Sequence, residues 1–175
     1  MISLKAFLPV LSRFLELSPA ALYERQRALV RLDLLPKPTA PGRNSGAAMA
    51  TPDSVAIMLI AVLATDNLSE MDSRIQTFAK KKAIDPNTGK PGGCRFTGKH
   101  TLQEALTEVL SDSKIASPLS IEVMRKAKTA RLINSSGGEH RTSEFGQSPH
   151  RTGIELKATF GDLFSISREL EEVST

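Results

Sequence analysis

The sequence predicts an α+β fold in which a winged-helix-like helical domain is followed by a small α+β module. Apolar residues recur at helical spacing through much of residues 2–82, and two later segments have the composition of strands. A stretch rich in Gly and Pro separates the two parts. We therefore expect a helical domain over residues 1–84, a linker over 85–100 and a second module over 101–175.

Four helices are predicted in the first domain. Their expected ranges are 2–17, with a bend or a start near Pro9, then 18–33, 51–64 and 69–82. Ser18-Pro19 and Thr51-Pro52 mark two of the starts, because the hydroxyl accepts a free backbone N–H and Pro fits the first turn. The third helix is apolar on most faces, so it is expected to be buried.

The second module is expected to hold one helix and at least two strands. Thr101 is the predicted cap of the helix, whose apolar stripe consists of Leu102, Ala105, Leu106, Val109 and Leu110. Residues 119–134 and 154–166 have strand character, and 135–153 between them are expected to form a loop or a hairpin tip. The first strand is basic and is interpreted either as a second DNA-contacting surface or as a protected edge; its basic residues are Arg125, Lys126, Lys128 and Arg131.

Composition narrows the function classes. The net charge of +4 arises within residues 1–50, where seven Lys and Arg face three Asp and Glu, and it favours a polyanionic partner. Aromatic residues make up only 5% with no Trp, which disfavours the reading of single-stranded nucleic acid by stacking. Cys94 is the single cysteine, which excludes an intramolecular disulfide and fits a reducing compartment. The longest apolar run, Val55 to Ala64, is about half of a bilayer span, so we expect a cytoplasmic protein with no membrane partner.

The second helix has two chemically different faces. At 3.6 residues per turn, Leu22 and Leu29 fall on one side, whereas Arg27 and Arg31 fall on the other with Tyr23 at the border. Arginine donates two parallel hydrogen bonds to guanine edges or to phosphate, so this face is typical of a recognition helix. Arginine pairs also occur on ordinary solvated helix surfaces, which is the alternative interpretation.

The loop after this helix strengthens the first interpretation. Residues 35–50 are rich in Pro and Gly and carry Lys37 and Arg43, at the position where a winged-helix protein has its wing. Residues 18–64 resemble the DNA-binding head of the MerR-type winged-helix regulators. The matching motifs are the turn Leu34-Leu35-Pro36, the wing residues Gly42, Arg43 and Gly46, and the helix cap Thr51-Pro52-Asp53 with Val55. Asp33 stands where that family usually has Gly.

The resemblance implies a protein that binds double-stranded DNA in a sequence-specific way. The expected contact residues are Ser18, Tyr23, Gln26, Arg27, Arg31, Lys37, Arg43 and Asn44. A bacterial or phage-type transcription regulator is the leading hypothesis, and phage small terminase subunits, which use related heads, provide the packaging alternative. A protein-interaction adaptor is the third. We expect a homo-oligomer whose C-terminal module contacts a second copy, RNA polymerase or another protein.

Other motifs do not predict catalysis. Residues 93–99 satisfy the G-x-x-x-x-G-K part of a phosphate-binding loop, but His100 stands where the magnesium-ligating hydroxyl is needed. The three histidines and Cys94 lack the paired spacing of a zinc module, and no nucleophile motif is present. The sequence therefore predicts no enzyme activity, no cofactor and no bound metal.

Overall fold

The computed structural model describes residues 2–37, 47–67, 69–136, 140–147 and 157–174. The helices in these ranges are α1 (Leu4–Leu15), α2 (Pro19–Arg31), α3 (Pro52–Leu63), α4 (Met71–Ala79), α5 (Leu102–Ser111), α6 (Ser113–Ala116) and α7 (Leu163–Ser174). The strands are β1 (Ala83–Ile84), β2 (Leu119–Met124), β3 (Thr129–Asn134), β4 (Arg141–Phe145) and β5 (Lys157–Phe160). The strands form one antiparallel sheet in the order β1-β4-β3-β2-β5. The expected α+β class is confirmed.

Capping residues fix the helix starts. The hydroxyls of Ser18, Thr51 and Thr101 accept backbone N–H groups at the first turns of α2, α3 and α5, as expected. Ser3 does the same for α1, which therefore begins ahead of Pro9 and contains it. The fourth helix is shorter than expected, because it ends at Ala79 and the chain then enters β1.

The third helix lies at the centre of the helical part. Nine of the twelve residues of α3 are buried, and the helix packs against α2, α4 and α5. This confirms the expectation of a helix that is buried on most faces. Across the described ranges, no helix combines the length and the apolar character needed to cross a membrane.

The helices of the second part cover one face of the sheet. The five residues of the predicted apolar stripe of α5 are all buried, and α5 packs against α7. In β2, Leu119, Ile121 and Val123 are buried and alternate with more accessible residues, as in a strand with one covered face. Ser167 links α7 to α5, since its buried hydroxyl donates to the Leu110 carbonyl of α5 at 3.1 Å.

The expected strand over residues 119–134 is instead a hairpin. β2 and β3 pair along their full lengths, and residues 125–128 reverse the chain between them. Lys128 has a φ of 53°, in the left-handed region. Turns of this conformation usually carry Gly, Asn or Asp, so no residue type at this position signals the reversal.

Two further elements differ from the expectation. The segment 135–153, expected as a loop or hairpin tip, contains β4. The polar composition of β4 does not predict a strand, although Ser143 and Phe145 are buried in it. Of the expected strand over 154–166, the described residues form β5 and then the start of α7. The apolar residues of α7 have helical spacing and are buried; they are Leu163, Ile166 and Leu170.

The segment 85–100 connects elements that belong to one hydrophobic cluster. β1 precedes it and pairs with β4, whereas α5 follows it and packs against α3. Within it, Cys94 is buried, and its backbone N–H donates to the Lys99 carbonyl at 2.7 Å. The buried apolar residues on both sides of the segment form a single cluster. The expected boundaries of the two modules stay a prediction.

We expect the substitution Ile57→Ala to lower the free energy of unfolding by about 2–5 kcal/mol, because Ile57 is fully buried in α3 and its truncation leaves a cavity. Urea unfolding measures the change. Ile133→Ala in β3 is the matched control, since Ile133 is only half-buried and its truncation is expected to cost much less. Equal losses in the two variants would contradict the central position of α3.

Candidate nucleic-acid interface

The second helix presents the two faces that its sequence predicts. Leu22 and Leu29 are buried against the core, whereas the side chains of Arg27 and Arg31 are 63% and 62% exposed. Tyr23 is also exposed. The exposed face of α2 therefore combines two guanidinium groups one helical turn apart with a phenol.

This face borders a surface cavity of about 400 Å³. Five of the eight expected contact residues line it: Tyr23, Gln26, Arg27, Arg31 and Lys37. Lys5 of α1 also lines the cavity, and its Nζ lies 5.0 Å from the centroid of the Tyr23 ring, within the range of a cation–π contact. We call these six residues the α2 face. Four of them are cations contributed by three different segments of the chain.

Backbone hydrogen bonds fix the two ends of the loop that follows α2. Asp33 has a φ of 57°, and the N–H of Leu34 donates to the Leu29 carbonyl at 2.9 Å, which closes the helix in a Schellman-type turn. At the other end, the N–H of Leu4 donates to Ala48 at 2.7 Å. The last described residue before the loop and the first one after it therefore both lie beside the α2 face. Arg43 and Asn44, two expected contact residues, lie outside the described residues.

Carboxylates pair with three of the cations. Arg27 is 3.2 Å from Glu24, Arg31 is 2.7 Å from Asp72, and Lys37 is 2.6 Å from Asp33; all six side chains are well exposed. Exposed ion pairs contribute about 0–1 kcal/mol each. A phosphate can therefore replace these carboxylates at little cost, although the pairs reduce the positive potential of the free surface.

Ser18 caps α2, as expected, and its contact with DNA stays a prediction. Its hydroxyl accepts the N–H of Ala21 at 3.2 Å, and Ser18 is not among the residues that line the cavity. We conclude that its observed contact fixes the start of α2. The helix start in turn sets the direction in which the exposed arginines point.

Lys5 and Arg25 were not among the residues expected at the site. Lys5 joins the α2 face through the packing of α1 beside α2, which no local pattern reveals. Arg25 could have been found, because it falls between Leu22 and Leu29 on the buried stripe of α2. Arg25 is only 6% exposed, and its Nε has no hydrogen-bond partner among the described residues.

Arg25 belongs to a charged cluster that joins α2 to the β2–β3 turn. Arg125 in that turn donates through Nε to the Leu63 carbonyl at the end of α3, at 2.8 Å, and holds the Asp66 carboxylate through both terminal nitrogens. The hydrogen bonds from Arg125 lower the pKa of Asp66. Burial lowers the pKa of Arg25, and the charge of Asp66 acts in the opposite direction.

The basic residues of the hairpin do not form the single strand surface that was expected. Arg125 is held by Asp66 and is mostly buried, and Arg131 pairs with Glu122 at 2.6 Å on the neighbouring strand. Of the four, Lys126 and Lys128 are exposed, and both lie in the turn. The four residues thus separate into two paired arginines and two exposed lysines, and contact of the hairpin with DNA stays a prediction.

The segment that resembles a phosphate-binding loop leads into α5 beside a larger cavity of about 670 Å³. The Glu104 carboxylate accepts the N–H groups of His100 and Thr101 at 3.2 and 3.0 Å, and these bonds lower its pKa. Lys99 is 3.3 Å from Glu108. The capping carboxylate thus occupies the backbone donors that a phosphate would need, and Asp53, Glu104 and Glu108 all line the cavity, so it is not the better candidate.

Two further observations bear on identity. Within the described part of the chain, no group of three or more His, Cys, Asp or Glu side chains is placed to hold a metal ion. No family model matches the chain, and no curated protein or solved structure shows significant similarity to it.

Substituting Asp66→Asn is expected to lower the free energy of unfolding at pH 7 by about 1 kcal/mol, because Arg125 and Arg25 lose their shared counter-charge and Asp66 is itself well exposed. Since folding lowers the pKa of Asp66, its contribution is present above an unfolded-state pKa of about 3.9 and is lost as the pH falls through the folded-state pKa. The difference between the variant and the natural protein should therefore shrink below about pH 4.

Chemical unfolding between pH 2.5 and 7 measures this difference. Glu16→Gln is the control, because Glu16 is an exposed carboxylate at the end of α1. A destabilisation by Asp66→Asn that stays constant down to pH 2.5 would contradict the electrostatic role of Asp66.

Proposed function

We propose that the chain binds double-stranded DNA through the α2 face. The observation that carries this proposal is the convergence of Lys5, Arg27, Arg31 and Lys37 on one cavity beside an exposed helix. These cations come from α1, α2 and the segment after α2. Phosphate contacts of this kind position a protein on the duplex, whereas contacts with base edges give sequence specificity.

The shape of α2 fits a major groove. A major groove about 12 Å wide admits an α-helix of 10–12 Å diameter. With α2 in the groove, Arg27 and Arg31 lie on successive turns of its exposed side and are suited to guanine edges or phosphates. Tyr23 adds a hydroxyl at the border of the same face.

The loop after α2 is proposed to act as the wing. The Schellman-type turn at Asp33 and the pairing of Leu4 with Ala48 support this, because they place both ends of residues 38–46 next to the α2 face. Asp33 has a positive φ at the position where the MerR-type head usually has Gly, a conformation that glycine adopts without strain. The geometry at this residue is thus compatible with the resemblance despite the substitution.

We further propose a sequence-specific transcription regulator that works as a homo-oligomer. A single DNA-binding module of this size buries about 600–1,000 Å², so a second copy is needed for high affinity. The sheet of the second module is the proposed contact with another copy or with a protein partner. Packaging of phage DNA and binding of an acidic protein surface are the alternative roles of the same face.

Arg27→Ala and Arg31→Ala are each expected to weaken binding to a selected duplex by about 1–3 kcal/mol, because each removes a charged contact of the α2 face. Binding of the natural protein should also fall steeply with salt. Fluorescence anisotropy against duplexes selected from a random 40-base-pair pool measures both effects.

Arg168→Ala in α7 is the matched control, because Arg168 is 59% exposed and also pairs with a carboxylate one turn away. Its affinity should equal that of the natural protein. The proposal fails if the natural protein binds no duplex from the pool, or if Arg168→Ala weakens binding as much as Arg31→Ala does.

A further inference from the structure

A second basic group lies where α4 meets the β2–β3 turn. It consists of Lys81, just after α4, and of Lys126 and Lys128 in the turn, and we call it the hairpin lysines. The side-chain Cδ of Lys81 and the backbone oxygen of Lys128 lie 2.9 and 3.5 Å from the position that a Cβ on Gly146 would occupy. Packing at this glycine therefore brings the end of α4 against the hairpin turn.

The surroundings of the hairpin lysines leave their charge uncompensated. Nearby, Arg74 pairs with Glu70 at 2.7 Å and Arg125 pairs with Asp66, so these two arginines are balanced. In the described ranges, no carboxylate lies within ion-pair distance of the hairpin lysines or of the buried Arg25. This contrasts with the α2 face, where three of the four cations already have carboxylate partners.

The usual reason for lysines on a sheet does not apply to the hairpin lysines. Lysine on an edge strand prevents edge-to-edge aggregation. In this sheet β2 and β3 are interior strands, flanked by β5 and β4. The turn that joins them exposes Lys126 and Lys128 at the end of the sheet, where no open strand edge needs protection.

The fourth helix sets the distance between the two basic surfaces. Arg31 of the α2 face contacts Asp72 in the first turn of α4, and Lys81 follows the last turn. A rise of 1.5 Å per residue separates position 72 from Ala79, the last residue of α4, by about 10 Å, and Lys81 lies two residues beyond it. This length is close to the width of a major groove, about 12 Å. When α2 lies in the groove, the phosphate backbone that flanks the groove is therefore at a similar distance from the α2 face.

We propose that the hairpin lysines contact the phosphate backbone of the same duplex that the α2 face binds. The proposal rests on the proposed function and adds a second contact surface to it. Lysine provides a flexible point charge rather than a planar fork, so the contact adds affinity and orientation without reading sequence.

The test is the salt dependence of binding to the random 40-base-pair duplex pool. The logarithm of the binding constant falls with the logarithm of salt concentration by about 0.9 per phosphate contact. Lys126→Gln combined with Lys128→Gln should therefore reduce the slope by about 2 and weaken binding equally across sequences. The arginine variant, Lys126→Arg with Lys128→Arg, should keep the natural slope.

The control is Lys114→Gln with Arg168→Gln, which removes the same charge from α6 and α7. These helices pack near the start of β2, whereas the turn lies at its end, about 20 Å along the strand. Thermal unfolding checks that both glutamine variants are folded, and the arginine variant separates loss of charge from loss of structure.

Three results would overturn the inference. If the hairpin and control variants have the same slope, the duplex does not reach the hairpin lysines, although the α2 face still binds DNA. If the hairpin variant changes sequence preference with an unchanged slope, the contact is not with phosphate. If the natural protein binds no duplex, the proposed function fails and the inference fails with it.

Discussion

The burial of α3 is the constraint on which the rest of the structure depends. A helix that is apolar on nearly every face must be surrounded, and α2, α4 and α5 pack around it. Because Leu22 and Leu29 of α2 turn towards this core, Arg27 and Arg31 must turn outwards. The orientation of the α2 face is thus a consequence of packing on the opposite side of the same helix. The capping box of Thr51 and Ser54 fixes where α3 begins, and Arg125 donates to a carbonyl at its far end.

Charge connects the two halves of the chain at that far end. Arg125 of the hairpin holds the Asp66 carboxylate through hydrogen bonds, and the charge of Asp66 also acts on Arg25 of α2. A buried arginine without a full set of partners is costly, so the position of the hairpin turn and that of α2 depend on each other. The two proposed DNA contacts therefore lie on elements that one electrostatic cluster holds together.

The sequence is informative where local physics determines the structure. Ser18, Thr51 and Thr101 cap helices as their side chains require, and the apolar stripe of α5 is buried residue for residue. The hairpin turn escaped prediction because Lys128 adopts a left-handed conformation that its residue type rarely takes. In the site, the outward face of α2 follows from its periodicity, whereas Lys5 reaches it only through tertiary packing.

The measurement that tests the central claim most directly is a titration of ¹⁵N-labelled protein with a selected duplex, followed by backbone amide shifts. If the α2 face binds DNA, the largest changes will cluster along the exposed side of α2 and at Ala47 and Ala48, which line the same cavity. Amides in α7 should change little. Changes confined to the cavity at the start of α5, or no changes at all, would contradict the assignment of the α2 face as the DNA-binding surface.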